Sequence, residues 1–145
     1  MSTYLTRRFE FSASHRYWNP NWDEAQNQAV FGKTTNRHGH GHNYVLEVTV
    51  TGPVDPDTGM IINLVELQGL VGAILDAGFD HKHLNEDTSY FRDQQPTTEN
   101  IVRVLWDLIR PVLPAGVELA RLRLHEDPSL YAEYFGEDRL SARRW

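Results

Sequence analysis

The alternation of hydrophobic and polar positions along the chain predicts two long, half-buried β-strands near its beginning. A period of two, which is typical of a strand with one buried face, runs through residues 4–15 and again through residues 40–52. On the first strand the shared face carries Phe9, Phe11, Ala13 and His15. On the second strand it carries His40, His42, Tyr44, Leu46, Val48 and Val50. Each apolar face therefore has histidine at one end.

The remaining pattern predicts two helices and three further strands. The first helix begins after Asn63, an N-cap residue with Glu66 three positions on, and it stops at Gly78. The second helix begins near Pro96 and ends at Pro111, and both helices carry an apolar stripe at helical spacing. The further strands are predicted at residues 60–62, 117–126 and 130–135.

Turn and loop signals complete the predicted organisation. The turn-forming segment Asp55–Gly59 separates the second strand from residues 60–62, so these two strands are predicted to form a hairpin. Residues 17–37 are polar and irregular and predict a long loop, a kind of segment that often carries function. Because there are no repeats or linkers, residues 1–145 are predicted to form a single α+β domain, with antiparallel strands and two helices on one face.

The composition is that of a globular protein, and it excludes several functional classes. Of the 145 residues 40% are hydrophobic and 23% charged, and the net charge of −6 disfavours nucleic acid or an anionic membrane as a partner. The chain has no cysteine, which excludes disulfides, thiolate metal sites and a thiol nucleophile. There is no signal-peptide core, and no apolar run approaches the roughly 18 residues of a membrane helix, so we expect a cytoplasmic protein.

The histidines at the strand ends are the first candidates for chemistry. His40 and His42 are two residues apart, which on a strand puts both side chains on one face about 6.5–7 Å apart. If the first two strands pair antiparallel, His15 reaches the same end of the sheet, and three neutral imidazoles with an open fourth position form a catalytic zinc arrangement. A pair of surface histidines without a metal is the alternative, and periodicity does not decide whether His38 joins the cluster.

Two further groups of polar residues are candidates. Asp80 and His81 place a carboxylate beside an imidazole, which suits general acid–base chemistry, with a solvated turn as the alternative. Glu126 has the inward parity of an otherwise apolar strand, and a buried carboxylate needs a partner. That partner is either an arginine in a structural ion pair or the N–H donors of a ligand such as a guanine-like base.

Several separated motifs, taken in their order, give the chain a resemblance to a known family. The motifs are Phe11–Arg16, Val30–Lys33, Gly39–Tyr44, Asp55–Met60, Leu64, Asp80–Lys82, Thr97–Asn100 and Glu126. From about Phe9 to Gly136 the sequence resembles the 6-pyruvoyl-tetrahydropterin synthase family, which also contains the 6-carboxytetrahydropterin synthases of the queuosine pathway. The resemblance implies a T-fold, a four-stranded antiparallel sheet with two helices on one side. In this family three subunits join into a barrel, and two trimers stack into a homohexamer.

The resemblance also implies a substrate, a cofactor and a set of site residues. The substrate would be 7,8-dihydroneopterin triphosphate, bound in active sites that lie between subunits. Zinc would acidify the side-chain hydroxyls of this substrate as a Lewis acid, and proton transfers would then eliminate triphosphate. Glu126 matches the glutamate that anchors the pterin ring. By role, the implied residues are His15, His40 and His42 for zinc, Glu126, Thr98 and Glu99 for the substrate, and Asp80 and His81 for catalysis.

One position departs from the family. Its synthases carry a catalytic cysteine just after the Phe-Gly-Lys segment, and here that position is Thr34, whose hydroxyl holds its proton too tightly to be a base near neutral pH. The alternative bases are His81, zinc-bound hydroxide, His38, Asp23 and Glu24. The predicted function is a zinc-dependent lyase that makes 6-pyruvoyl-tetrahydropterin. The alternatives are a 6-carboxytetrahydropterin synthase and a pterin-binding or aldolase-like relative without synthase activity.

Overall fold

The structure, a computed structural model, describes residues 3–137, and a five-stranded sheet forms the centre of the fold. The strands are β1 (Tyr4–His15), β2 (His40–Thr51), β3 (Lys82–His83), β4 (Glu118–Asp127) and β5 (Leu130–Tyr134). Their order across the sheet is β3-β1-β2-β4-β5, and all neighbours are antiparallel except β3, which runs parallel to β1. The ends of the predicted domain, residues 1–2 and 138–145, lie outside the described residues.

Within residues 3–137 the sheet is accompanied by three helices and two 3₁₀ turns. They are α1 (Glu24–Phe31), α2 (Leu64–Gly78) and α3 (Thr98–Ile109), with the turns Gly32–Thr35 and Arg110–Val112. The predicted starts of the two long helices are confirmed by their caps, because the side chain of Asn63 accepts a hydrogen bond from the N–H of Val65. In the same way the side chain of Thr97 accepts one from the N–H of Asn100. No helix in the described part of the chain has the length and apolar character needed to cross a membrane.

Helices α2 and α3 cover one face of the sheet, where the side chains of the predicted apolar parity are buried. Removing these side chains from water is the main force that holds the layers together. The core residues of β1, β2, β4 and the two helices are Phe9, Phe11, Ala13, Tyr44, Leu46, Val48, Val50, Leu67, Val71, Leu75, Ile101, Val102, Leu105, Trp106, Ile109, Leu119, Leu122 and Leu124. This arrangement confirms the α+β class. At one end of the sheet, the same face continues into two buried polar residues, His15 and Glu126.

The predicted strand at residues 60–62, and with it the predicted hairpin, is wrong. Both edges of β2 are occupied, by β1 on one side and by β4 on the other, so β2 has no free edge for a third partner. The predicted Asp55–Gly59 turn does form. The N–H of Gly59 donates to the carbonyl of Asp55, and the N–H of Asp55 donates to the carbonyl of Met60. The chain then leads directly into α2.

Helix α1 lies within residues 17–37, which the sequence pattern predicts as a loop. Its one buried residue is the polar Asn27, whose side chain bonds the backbone of Asn19, Trp22 and Asp23. A helix that is held by hydrogen bonds has no apolar stripe, so hydrophobic periodicity cannot reveal it. The two-residue β3 makes the sheet five-stranded and mixed, whereas the family resemblance implies four antiparallel strands. Within residues 3–137 of one chain the sheet stays open at β3 and β5, so the barrel stays a prediction.

Candidate active site

The pairing of β1 with β2 brings the predicted histidines to one end of the sheet. In this antiparallel register His15 lies opposite His40. His42 follows two residues later on β2 and therefore points to the same side of the sheet. On its other side β2 pairs with β4, which carries Glu126 to the same end. Four polar side chains from three strands thus meet where the apolar core ends.

A glycine just before β2 allows the ends of β1 and β2 to approach each other. Gly39 has a φ of 76°, in the left-handed region that favours glycine. A Cβ atom at this position would lie 2.7 Å from the carbonyl oxygen of His15, which is closer than real Cβ atoms come to another atom. Any other residue at position 39 would therefore push the two strands apart beside His40.

The side chains of His15, His40, His42 and Glu126 form a compact group, the His/Glu cluster. Their ligand-type atoms all lie within 4.8 Å of one another. The Nε2 atoms of His15 and His40 are 3.1 Å apart. Oε1 of Glu126 lies 3.4 Å from Nε2 of His15 and 2.9 Å from Nε2 of His42. The structure therefore brings the three predicted zinc ligands together and adds a carboxylate to them.

The orientation of the His15 ring is set by a backbone carbonyl. His15 is completely buried, and its Nδ1 lies 2.8 Å from the carbonyl oxygen of Pro96. Because a carbonyl can only accept a hydrogen bond, Nδ1 carries a proton, and Nε2 offers its lone pair when the ring is neutral. The hydroxyl of Tyr44 lies 3.4 Å from the same Nδ1. Histidines that bind metal ions usually have such an outer partner on the second ring nitrogen.

The protonation states of the cluster suit a cation. Burial lowers the pKa of His40, and repulsion from the neighbouring histidine rings lowers it further. Burial also lowers the pKa of His42, so both rings are neutral near pH 7. The hydrogen-bonding contact with His15 lowers the pKa of Glu126 more than burial raises it, so this group is a carboxylate. Neutral imidazole and ionised carboxylate are the forms that bind a metal ion.

The spacing of these donors fits a metal ion. Ligand atoms that bind a tetrahedral zinc ion at about 2.0–2.2 Å lie about 3.3 Å from one another, close to the separations in the His/Glu cluster. Nε2 of His42 is buried and makes no hydrogen bond, although Oε1 of Glu126 is 2.9 Å away. An orphaned ring nitrogen of this kind is explained if its lone pair faces a cation. Among residues 3–137 no second group of histidine and acidic side chains converges in this way.

Glu126 lies deeper in the site than its predicted role in substrate binding suggests. One carboxylate oxygen belongs to the His/Glu cluster, and the other accepts a hydrogen bond of 3.2 Å from the hydroxyl of Thr98. Thr98 is itself a predicted substrate residue, and it is buried at the start of α3. In the sequence, the only indication that Glu126 would lie beside the histidines is that all of them occupy inward positions of their strands.

Tyr17 belongs to the site, although the sequence pattern does not single it out. Its ring centroid lies 4.9 Å from that of His15. Burial raises the pKa of Tyr17 well above its ordinary value, and the charges of Glu126 and Glu99 raise it further, so the phenol is neutral. Glu99, the remaining predicted substrate residue, is exposed and close enough to Tyr17 for this charge effect.

Asp80 and His81 lie at the outer edge of β1. The N–H of Ser12 donates to Oδ1 of Asp80 at 2.9 Å, and the N–H of His81 donates to the carbonyl of Ser12 at 2.6 Å. Nδ1 of His81 lies 3.0 Å from Oδ1 of Asp80, so the two side chains meet although they are neighbours in sequence. The backbone allows this contact because His81 has a φ of 59°, which is uncommon for a residue other than glycine.

This pair is separate from the His/Glu cluster of its own chain. Among residues 3–137 no hydrogen bond or ion pair joins Asp80 or His81 to the four cluster residues. The His81 side chain is 83% exposed, and it borders a cleft that is also lined by Ser12, Asn43 and the cluster residue His42. The hydrogen bond from Ser12 holds the pKa of Asp80 below its usual range. The pair therefore combines an ionised carboxylate, Asp80, with an imidazole, His81, that is exposed to the cleft.

Thr34 lies in the 3₁₀ turn after α1 and is hydrogen-bonded to the backbone of Tyr17. Its hydroxyl donates a hydrogen bond of 2.6 Å to the carbonyl of Phe31. Its carbonyl accepts one of 2.9 Å from the N–H of Tyr17, whose ring touches His15. The hydroxyl is thus engaged within its own turn, and the segment reaches the His/Glu cluster through Tyr17.

The other candidate bases lie outside the His/Glu cluster. His38 is exposed, and its N–H donates to the side chain of Asn36 at 3.3 Å. The carboxylate of Asp23 is the N-cap of α1 and accepts a hydrogen bond of 2.7 Å from the N–H of Gln26. Glu24 is exposed in the first turn of the same helix.

Known proteins are similar to this chain over nearly its whole length. The sequence matches the family model described as 6-pyruvoyl tetrahydropterin synthase over residues 4–137. It is 44% identical over 133 residues to the 6-pyruvoyl tetrahydrobiopterin synthase of Drosophila melanogaster, covering 92% of this chain and 79% of that protein. It is 41% identical over 133 residues to the protein of the same name from Homo sapiens, covering 92% of this chain and 91% of that one.

A solved structure gives the same result for the fold. The structure of the Caenorhabditis elegans 6-pyruvoyl tetrahydropterin synthase has a TM-score of 0.85 and 32% sequence identity, covering 93% of this chain and 96% of that one. The chain therefore belongs to the 6-pyruvoyl tetrahydropterin synthase family. The predicted T-fold is confirmed, with β3 and α1 added to the predicted elements.

Proposed function

We propose that this chain is a metal-dependent lyase of pterin metabolism that acts on 7,8-dihydroneopterin triphosphate. The observation that carries the proposal is the His/Glu cluster at the end of the sheet, in a chain of the 6-pyruvoyl tetrahydropterin synthase family. The relatives at 41% and 44% identity are named 6-pyruvoyl tetrahydrobiopterin synthase, which favours 6-pyruvoyl-tetrahydropterin as the product. A single domain over residues 1–145 and a cytoplasmic location are part of the same proposal.

Zinc is the metal that we propose for the cluster, with His15, His40 and His42 as its ligands. Three imidazole nitrogens with a fourth position left for another ligand are typical of catalytic zinc. When bound, zinc would supply the Lewis acidity that lowers the pKa of the substrate's side-chain hydroxyls. The chain itself holds the rings on one face, and the complete burial of His15 excludes water from the inner side of the site.

Glu126 is the proposed anchor for the pterin ring. A carboxylate accepts two hydrogen bonds side by side, and a pterin offers a matching pair of donors in its amino group and its ring N–H. The hydroxyl of Thr98 holds Oε2 of Glu126 at 3.2 Å and thereby orients the carboxylate. Glu99, which is exposed and close enough to Tyr17 to raise its pKa, is proposed as a further substrate contact.

Replacing Glu126 by alanine is expected to weaken pterin binding by about 30- to 1000-fold while one zinc ion per subunit remains. The loss corresponds to about 2–4 kcal/mol, because hydrogen bonds to a charged group are strong and buried donors left unpaired are penalised. Zinc remains because the three histidines are unchanged. Fluorescence titration with a dihydropterin and metal analysis of the same preparation measure both quantities. Loss of zinc together with pterin binding would instead make Glu126 a fourth metal ligand.

We propose that Asp80 and His81 serve the active site of a neighbouring subunit. Within residues 3–137 the pair makes no hydrogen bond or ion pair with the cluster of its own chain, and the imidazole is largely exposed. The free edges at β3 and β5 are where copies of the chain can join, and closure removes unpaired strand edges. A homohexamer, built as a dimer of trimers, is the assembly that the family resemblance implies. In that assembly the active sites lie between subunits.

The substitution Thr34→Cys is expected to change the rate by no more than about threefold. A missing general base that is restored would raise the rate about 10²–10⁴-fold, so a small effect shows that another residue acts as the base. Thr34 donates its hydroxyl hydrogen to the carbonyl of Phe31 and leaves proton transfer to His81. Steady-state product formation by wild type and variant is the measurement. A large gain in the variant would identify the wild-type chain as a degenerate synthase.

A pterin-binding protein without lyase activity is the second candidate, and the threonine at the family's cysteine position favours it. Incubation of the zinc-loaded protein with 7,8-dihydroneopterin triphosphate, followed by product analysis, separates the candidates. Formation of 6-pyruvoyl-tetrahydropterin with release of triphosphate supports the proposed lyase. Formation of 6-carboxytetrahydropterin would place the protein with the queuosine-pathway enzymes. Tight binding without any product would support the pterin-binding protein without lyase activity.

A further inference from the structure

Just after the end of β1, the side-chain amides of two residues bond to the backbone in the way a neighbouring strand would. Asn85 makes two hydrogen bonds with the backbone of Arg16. The N–H of Arg16 donates to Oδ1 of Asn85 at 2.9 Å, and Nδ2 of Asn85 donates to the carbonyl of Arg16 at 2.9 Å. Gln95 makes the same kind of pair with Trp18, at 3.0 Å and 2.8 Å. Each amide thus satisfies the backbone groups of a residue that has left the sheet.

Of these two amides, only Gln95 belongs to the segment that touches the His/Glu cluster. The next residue, Pro96, is buried, and its carbonyl oxygen lies 2.8 Å from Nδ1 of His15. The backbone carbonyl of Gln95 accepts a hydrogen bond of 2.8 Å from Nδ2 of Asn100 in α3. Proline has no backbone N–H that could donate a hydrogen bond. The position of the Pro96 carbonyl therefore depends on the hydrogen bonds that neighbouring residues such as Gln95 make.

We propose that Gln95 is a positioning residue for the metal site. By bonding to the backbone of Trp18, the amide of Gln95 keeps the carbonyl of Pro96 in contact with Nδ1 of His15. That contact keeps the proton on Nδ1, so Nε2 of His15 is free to bind the metal ion. The inference rests on the metal site of the proposed function. Loss of the outer partner of a metal-binding histidine costs about 10- to 100-fold in metal affinity, because the ring orientation and the tautomer are no longer fixed. Gln95 acts through Pro96, so we expect the lower end of this range.

The test compares Gln95→Met, which keeps the side-chain length and removes the amide, with the matched control Asn85→Leu. Both changes remove two hydrogen bonds to the backbone just after β1. Zinc affinity is measured in the full chain by competition with a chromophoric chelator. We expect Gln95→Met to bind zinc about tenfold more weakly, and Asn85→Leu to stay within about twofold of wild type.

A second readout follows the ring of His15 directly. In the zinc-loaded protein, the Nδ1 proton of His15 is expected to exchange with solvent faster in Gln95→Met and at the wild-type rate in Asn85→Leu, as observed by NMR. If Gln95→Met fails to fold, Gln95→Glu replaces it, because it keeps the acceptor for the N–H of Trp18, loses the donor, and carries the same expected direction.

Wild-type zinc affinity in Gln95→Met, or an equal loss in both variants, would overturn the inference. These results are distinct from failure of the proposed function. Tight zinc binding by the wild type without any lyase product would remove the proposed function and leave the role of Gln95 intact. Full lyase activity with unchanged zinc affinity in Gln95→Met would remove the role of Gln95 alone.

Discussion

The substitution His40→Ala is expected to abolish binding of the zinc ion that we propose for the His/Glu cluster, and to lower lyase activity by at least about 10³-fold. His40 provides one of three imidazoles, with its Nε2 atom 3.1 Å from that of His15, and two rings alone make an incomplete ligand set. A metal Lewis acid contributes several kcal/mol to a reaction of this kind, and each 1.36 kcal/mol is about tenfold in rate. Metal analysis and product formation on the same preparation are the measurements.

A neighbouring histidine provides the matched control. His38 precedes His40 by two residues, but its side chain is exposed and outside the His/Glu cluster. The variant His38→Ala is expected to keep its zinc and to stay within about twofold of wild-type activity, because the side chain is outside the cluster and an exposed substitution rarely changes the free energy of unfolding by more than about 0.5 kcal/mol. Full zinc occupancy in the double variant His40→Ala/His42→Ala would refute the ligand assignment. Loss of zinc in His38→Ala would add His38 to the ligand set.

The substitution His81→Ala is expected to lower kcat by about 10²–10⁴-fold, the usual contribution of a positioned general acid or base. Nδ1 of His81 faces Asp80 at 3.0 Å, so the other ring nitrogen is left to move the proton. The carboxylate of Asp80 is in turn fixed by the N–H of Ser12, which orients the pair. Zinc content and KM are expected to stay at wild-type values, because the three histidine ligands and Glu126 are unchanged. A fall in zinc content alongside kcat would contradict this separation.

Mixed assemblies test whether the Asp80–His81 pair serves a neighbouring subunit. Subunits that carry His40→Ala keep the pair, and subunits that carry His81→Ala keep the cluster. If the active site lies between subunits, co-assembly of the two inactive variants is expected to restore part of the activity. Native mass spectrometry shows whether both chains are present in one assembly. Mixed assemblies without any recovered activity would contradict the proposed arrangement.

Much of the fold could be predicted from the sequence, because it depends on patterns within a few residues. The period of two along β1 and β2 correctly predicts the buried apolar side chains, although Thr49 and Thr51 of the opposite parity are buried as well. The same period puts His40 and His42 on the face of the core. The N-cap Asn63 marks the start of α2, because a capping side chain bonds N–H groups two or three residues away, and the predicted start of the second helix near Pro96 is close to the observed start of α3. The spacing of the histidines likewise makes them candidates for a metal site without any knowledge of their neighbours.

The remaining features were decided only by the tertiary structure. Residues 60–62 have the character of a strand, yet both edges of β2 are already occupied. The buried Asn27 stabilises a helix that has no apolar stripe. The pairing of β4 with β2 carries Glu126 into the histidine cluster. The carbonyl that orients His15 comes from Pro96, and every residue has a carbonyl, so no sequence signal marks this one. Contacts between residues far apart in the chain depend on how the elements are packed together, which a local pattern does not specify.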